Sequence, residues 1–199
     1  MGLFGPSKDE IWEEFSNEIK AKFIIGGFLK NSKVEFNINN WNITLDTYAV
    51  SNGKTSTTYT RIRAPFVNEN NFKFKIYRAG IFSEIGKCFG IQDINIGYKD
   101  FDEEFIIKGN EENKIIELFS NDRIRSLIKS QPKILLEIKD DEGVFGTYFP
   151  QNVDELYFSV PGVIKDINML KGLFDLFEVV LNELNDIGVT DKCKSNIEL

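Results

Sequence analysis

The chain of 199 residues contains no histidine, which removes the commonest general base, the commonest metal ligand and the one side chain that titrates near neutrality. Only two cysteines are present, Cys88 and Cys193, so neither a disulfide framework nor a thiolate metal site is expected, and the reducing cytoplasm is the natural compartment. Cys88 has no base to activate it and reads as core packing. Phosphate-binding glycine loops, nucleophile elbows and paired-cysteine spacings are missing as well, so an enzyme would have to work with carboxylates or a Lys/Tyr pair. No enzymatic activity and no cofactor are therefore expected, and no residue is nominated as catalytic or metal-ligating.

Long apolar runs are also lacking. Lys165, Asp166, Lys171 and Asp175 interrupt the most apolar stretch, well short of the ~20 residues of a membrane span. The opening Met1-Gly2-Leu3-Phe4-Gly5-Pro6-Ser7 has neither the basic start nor the apolar centre of a secretory signal, and Pro6 stands where a myristoylation motif needs Ser or Thr. There is no excess of positive charge: the formal net charge of -7 and pI ≈ 4.8 disfavour nucleic acid and anionic membrane as partners.

What the chain does have is aromatic and aliphatic mass. Its 18 Phe and 42% hydrophobic residues suffice for one substantial core, expected over residues 1–188, with a short polar tail at 189–199 expected to fray. Ser7 followed by Glu10 forms a capping box, and Ile11, Trp12, Phe15 and Ile19 then share one helical stripe. Phe23 to Leu29 is apolar but broken by Gly26-Gly27, and fits either a bulged strand or an irregular link.

Four alternating runs follow: Val34 to Ile38, Trp41 to Ala49, Tyr59 to Phe66 and Phe72 to Ile76. A turn at Asn39-Asn40 pairs Ile38 with Trp41, Phe36 with Ile43 and Val34 with Leu45; a turn holding Asn52-Gly53 pairs Ile43 with Ile62 and Trp41 with Ala64. Closing through Val67 to Asn71 sets Phe66 beside Phe72, Ala64 beside Phe74 and Ile62 beside Ile76. One face is then wholly apolar, and a slip of one residue at any turn would expose it. The other face carries Glu35, Asn37, Asn42, Thr44, Asp46, Tyr48, Tyr59, Arg61, Arg63, Lys73, Lys75 and Tyr77, with Arg63 across from Lys75 and Asp46 near Arg61. An antiparallel sheet commonly wets one face, and that is the plain interpretation. The functional one takes Tyr59, Arg61, Arg63, Lys73, Lys75 and Tyr77 as a basic-aromatic platform for another protein or an anionic small ligand.

Ile81, Phe82, Ile85 and Phe89 have helical spacing, and Asp93 to Ile96 reads as a strand. Asp93, Asn95 and Glu104 match three positions of a calcium loop, but Gly97 and Tyr98 stand where a ligand and the turn glycine belong, so no metal is assigned. Asp100, Asp102, Glu103 and Glu104 read as a solvated turn. The motif Asp100-Phe101-Asp102-x-x-Phe105, followed by Ile106-Ile107-Lys108-Gly109-Asn110, resembles a segment of uncharacterised bacterial proteins grouped as domains of unknown function. The resemblance implies no catalytic or binding residue.

Glu104 to Lys108 reads as a strand, and Asn110 as the cap of a helix that Ser120-Asn121-Asp122 breaks before it resumes through Ile124, Leu127 and Ile128. Ile134, Leu136 and Ile138 begin a second meander, turning at Asp140-Asp141-Glu142-Gly143 into Phe145, Thr147 and Phe149 and continuing with Leu156, Phe158 and Val160. From Val163 through Ile167, Leu170, Phe174, Phe177 and Leu181 to Leu184, apolar residues recur at steps of four and three until Gly188, too wide a stripe for a coiled-coil seam. The expected fold class is α+β: two largely antiparallel meanders in one curved sheet or two packed sheets, an N-terminal helix, a central broken helix and a long C-terminal helix on the sheet. Folds of that layout also suggest an alternative function, a small apolar ligand or lipid held between that last helix and the sheet.

Overall fold

The computed structural model describes residues 5–27, 31–51, 53–80, 92–140, 149–190 and 199. The expected helix Ile81–Phe89, both cysteines, and Phe145 and Thr147 of the expected return strand lie outside them; Phe149, the third residue of that strand, is described and belongs to no strand. The α+β class holds. Helix α1 (Lys8–Glu18) starts at the Ser7 capping box, where the Glu10 carboxylate accepts from the Ser7 N–H at 2.7 Å and Glu10 N–H donates to Ser7 Oγ at 3.2 Å. These bonds, the one from the Ser7 backbone first, hold the Glu10 carboxyl below its ordinary pKa. The open segment Phe23–Leu29 begins as a short strand, β1 (Lys22–Ile24).

β2 (Lys33–Ile38) and β3 (Trp41–Ser51) pair as expected, Ile38 with Trp41, Phe36 with Ile43 and Val34 with Leu45. Asn39, in the turn, takes the left-handed conformation the tight connection demands, φ 52°. β4 (Ser56–Val67) also pairs with β3, but Leu45, not Ile43, lies opposite Ile62. The shift is of two residues, so every side chain keeps its face.

The fourth run breaks the expectation. β5 (Phe74–Arg78) does not pair with β4; Asp154, Leu156 and Phe158 of β9 (Val153–Pro161) stand where Phe72, Phe74 and Ile76 were expected. Beyond β9 comes β8 (Leu135–Lys139), and only then β5, whose other neighbour is β7 (Phe105–Gly109). With β6 (Gln92–Asp93), shorter than the expected strand to Ile96, the order is β1-β2-β3-β4-β9-β8-β5-β7-β6 in one antiparallel sheet. A hairpin-like pair from the second meander has inserted into the first. Asn68 shapes the departure from β4, since its amide accepts from Phe72 N–H, donates to Phe72 O and meets Asp154, while Asn71 sits at φ 50°.

Three further local expectations change. Asp100, Asp102, Glu103 and Glu104 form no solvated turn: Lys99–Glu104 is the short helix α2, and Asp102 accepts from the N–H groups of Ile96 and Gly97 at 3.0 Å each. Asn110 does not cap helix α3 (Glu112–Ser120); it ties β5 to β7 instead, accepting from Lys73 N–H and donating to Asn71 O. α4 (Asp122–Ser130) follows at the expected break, capped by Asn121, and α5 (Ile167–Asp186) begins later than Val163, capped by Asp166.

The helices cover the apolar face. Phe174 on α5 meets Phe15 of α1 edge-on at 5.0 Å and Phe36 of β2 at 6.0 Å, while Phe119 of α3 meets Phe74 of β5 at 5.5 Å. Trp12 Nε1 donates to Ile164 O at 3.0 Å, fixing α1 to the link before α5. Gly109 lets α3 approach: a Cβ there would overlap Ile115 Cδ1 and stand 2.8 Å from the Lys73 carbonyl oxygen. Gly109→Ala is accordingly expected to lower the unfolding free energy by about 1–3 kcal/mol in a urea titration, because backbone cannot yield as a side-chain tip can.

Candidate functional site

The second face of the sheet is set by alternation, and its composition by strand order. One row crosses six strands: Thr44 on β3, Arg63 on β4, Tyr157 on β9, Glu137 on β8, Lys75 on β5 and Lys108 on β7. Asp46, Arg61 and Ser159 form a parallel row, and Tyr48 lies opposite Tyr59. Arg63 therefore faces Thr44 and Tyr157 rather than Lys75; the like-charge contact expected between them does not exist.

Acidic partners neutralise most of these cations. Arg61 grips Asp46 through Nε at 2.6 Å and Nη2 at 3.0 Å, and Arg63 Nη2 reaches the same carboxylate at 2.7 Å. Lys75 bridges to Glu137 at 2.8 Å, Lys73 to Asp154 at 2.9 Å, and Lys108 to Asp93 at 3.2 Å. The aromatic groups are engaged too. Tyr48 and Tyr59 stack at 5.2 Å, Arg61 lies 5.0 Å from the Tyr48 ring, and Tyr157 donates to the Tyr48 hydroxyl at 3.2 Å. Burial, then that hydrogen bond, pushes the Tyr157 hydroxyl far up, so it stays protonated and serves as a donor.

This face is not the wetted surface expected of an antiparallel sheet. Arg63 is 3% exposed, Tyr77 and Tyr157 4% and Thr44 0%. Of the six nominated residues, Tyr59, Arg61 and Arg63 share β4, Lys75 and Tyr77 sit three strands away on β5, and Lys73 precedes β5 beside Asp154. Sequence reasoning missed Glu137, Tyr157 and Ser159. The signal for all three existed: the alternation that buries Leu136 and Ile138, and Leu156, Phe158 and Val160, in the core puts Glu137, Tyr157 and Ser159 on the opposite side.

One end of the network opens. A cleft of about 570 Å³ is lined by Asp46, Thr47 and Arg61, by Ile24 to Gly27, and by Asn31, Lys33 and Leu199. Ile24 to Gly27 and Asn31 form its wall: Gly26 N–H donates to Ser32 Oγ at 3.0 Å and the Asn31 amide to Thr47 O at 2.8 Å. Ile25 on this wall is 76% exposed, the most exposed large apolar side chain among the described residues. A second cleft, of about 450 Å³, lies between Gly97–Phe101 and α4, but there Arg125 already covers the Tyr98 ring at 3.6 Å.

The space between α5 and the sheet is filled. Leu170, Leu173, Leu176, Phe177, Val180, Leu181 and Leu184 are 0% exposed, as are Ile43, Leu45, Ile62, Ala64 and Phe158 of the sheet, all in one core cluster. At these side chains the interior is packed without accessible surface. Among the described residues no cluster of acidic groups could hold a metal, and no helix is long and apolar enough to cross a membrane. Asp93 and Glu104 of the apparent calcium spacing have separate partners, Lys108 for the first and Arg78 with Lys129 for the second. The chain matches no family model, no curated protein and no solved structure.

Proposed function

We propose that this chain is a non-enzymatic, cytoplasmic binding module that takes an extended peptide segment of a partner protein at the Asp46–Arg61 end of its basic-aromatic face. The observation that supports this reading is the cleft itself: it is the place where that otherwise ion-paired face meets an open wall carrying an exposed isoleucine. Lys33 and the Asn31 amide supply donors for main-chain or carboxylate oxygens, and Ile24 and Ile25 supply apolar surface, a pairing that suits a peptide better than a free anion.

Selection from a display library of random linear peptides tests this. Peptides combining an apolar side chain with an acidic neighbour are expected to be enriched, and Ile25→Asp is expected to weaken them about tenfold or more, with no change in melting temperature, because Ile25 is exposed. A library that yields no peptide above background, or peptides that bind Ile25→Asp undiminished, would overturn the reading.

A further inference from the structure

β1 is the last strand of the sheet at the end away from β6: it pairs with β2 and, among the described residues, with no strand beyond. Resting on the peptide-binding reading above, we infer that the partner segment adds to the sheet as a further strand along the outer edge of β1, setting a carboxylate opposite Lys22 and apolar side chains opposite Phe23 and Ile24, and then crosses Ile25 into the cleft.

Three observations carry this. An edge strand turns alternate N–H and C=O groups away from its neighbour. Among the described residues Lys22 to Ile25 make no backbone hydrogen bond beyond the pairing with β2, so those groups are open to an extended chain. The apolar face is unfinished at this edge. Phe23, Phe36 and Ile38 are half-buried, whereas Ile43, Leu45 and Ile62 on the next strands are fully buried, and an added strand with an apolar residue beside Phe23 covers that margin. Charge selects the occupant. Lys22 is exposed, and Glu35, its neighbour across the strand pair, is engaged by Lys33 at 2.6 Å, so among the described residues the Lys22 ammonium has no ion pair and can meet a carboxylate on the added strand. The same lysine disfavours a second copy of this chain on the edge, because β1 carries no acidic residue to face it. Ile24 joins edge to cleft, being both the last residue of β1 and part of the cleft lining.

The test uses the full chain and the tightest-binding peptide of the library selection, made synthetically with single N-methyl groups placed in turn along its backbone. Methylation is expected to weaken binding about fivefold or more at every second residue and to be tolerated between them, because an added strand turns only alternate N–H groups to its neighbour. Lys22→Glu is expected to weaken the unmodified peptide about fivefold, and replacing the acidic residue of the peptide by lysine is expected to restore binding to that variant. If Ile25→Asp weakens the peptide but methylation shows no alternation, or Lys22→Glu binds it unchanged, the cleft reading stands and the strand addition falls; if the library yields no peptide, both fall. A free protein that sediments as a dimer with residues 22–25 protected from amide exchange has a second copy on this edge, which also overturns the inference.

Discussion

Asp46→Ala is expected to lower the unfolding free energy by about 3–5 kcal/mol, because it strips a shared carboxylate from two guanidinium groups held largely out of water. Arg63 is 4% and Arg61 19% exposed at the side chain, and Asp46 itself 13%. At such exposures water takes over the role of the carboxylate only in part, from the cleft side, whereas at a solvated face the same substitution would cost under about 1 kcal/mol. Urea titration of Asp46→Ala and of the double variant Asp46→Ala/Arg63→Met distinguishes the two cases. The double variant is expected to recover part of the loss, since removing one buried cation together with its anion leaves less charge uncompensated. A loss below about 1 kcal/mol for Asp46→Ala would show that the face is wet and its cations open to partners. For the same reason the arginines make poor probes of partner binding. Variants of Arg61 and Arg63 disturb the sheet itself, and the exposed cleft wall at Ile25 is where affinity can be changed without stability.

Phe177→Ala is expected to cost about 3–5 kcal/mol and to open a dry cavity between α5 and the sheet. Phe177 is fully buried within the hydrophobic core cluster, so the void cannot be filled from solvent and collapses only partly. Benzene is expected to raise the melting temperature of Phe177→Ala and to leave that of wild type unchanged. The wild-type half of this experiment decides the apolar-ligand alternative. If benzene or a fatty acid stabilises the wild-type protein at this site, a pocket forms there in solution and the alternative regains its place.

Local features of this fold were legible in advance where they depend on near neighbours in sequence. The Ser7–Glu10 box, the Ile38–Trp41 hairpin register, the break at Ser120-Asn121-Asp122 and the apolar stripe of α5 each rest on contacts within a turn or two of chain. The facing of residues was legible too, even across the two-residue error at Ile62, because a pleat repeats every two residues and an even slip is invisible to it. Asn110 shows the limit of such local rules. Its position suits a helix cap, yet its amide is better used between the strands that Lys73 and Asn71 bring to it.

The opposite face illustrates the same division. The sequence by itself determined that Arg61, Arg63 and Lys75 leave the apolar core, and even that Asp46 stands beside Arg61. Only the tertiary structure decided which strands flank them. β8 and β9 enter between β4 and β5 and bring Glu137, Tyr157 and Ser159 with them, turning an expected solvated basic face into a largely buried, charge-compensated network. Alternation fixes the side of the sheet on which a residue lies, since it follows from the geometry of one strand. Strand order depends on non-local pairing, and strands with matching apolar faces satisfy the same backbone hydrogen bonds in more than one order, so only the packing of the whole sheet could select among them.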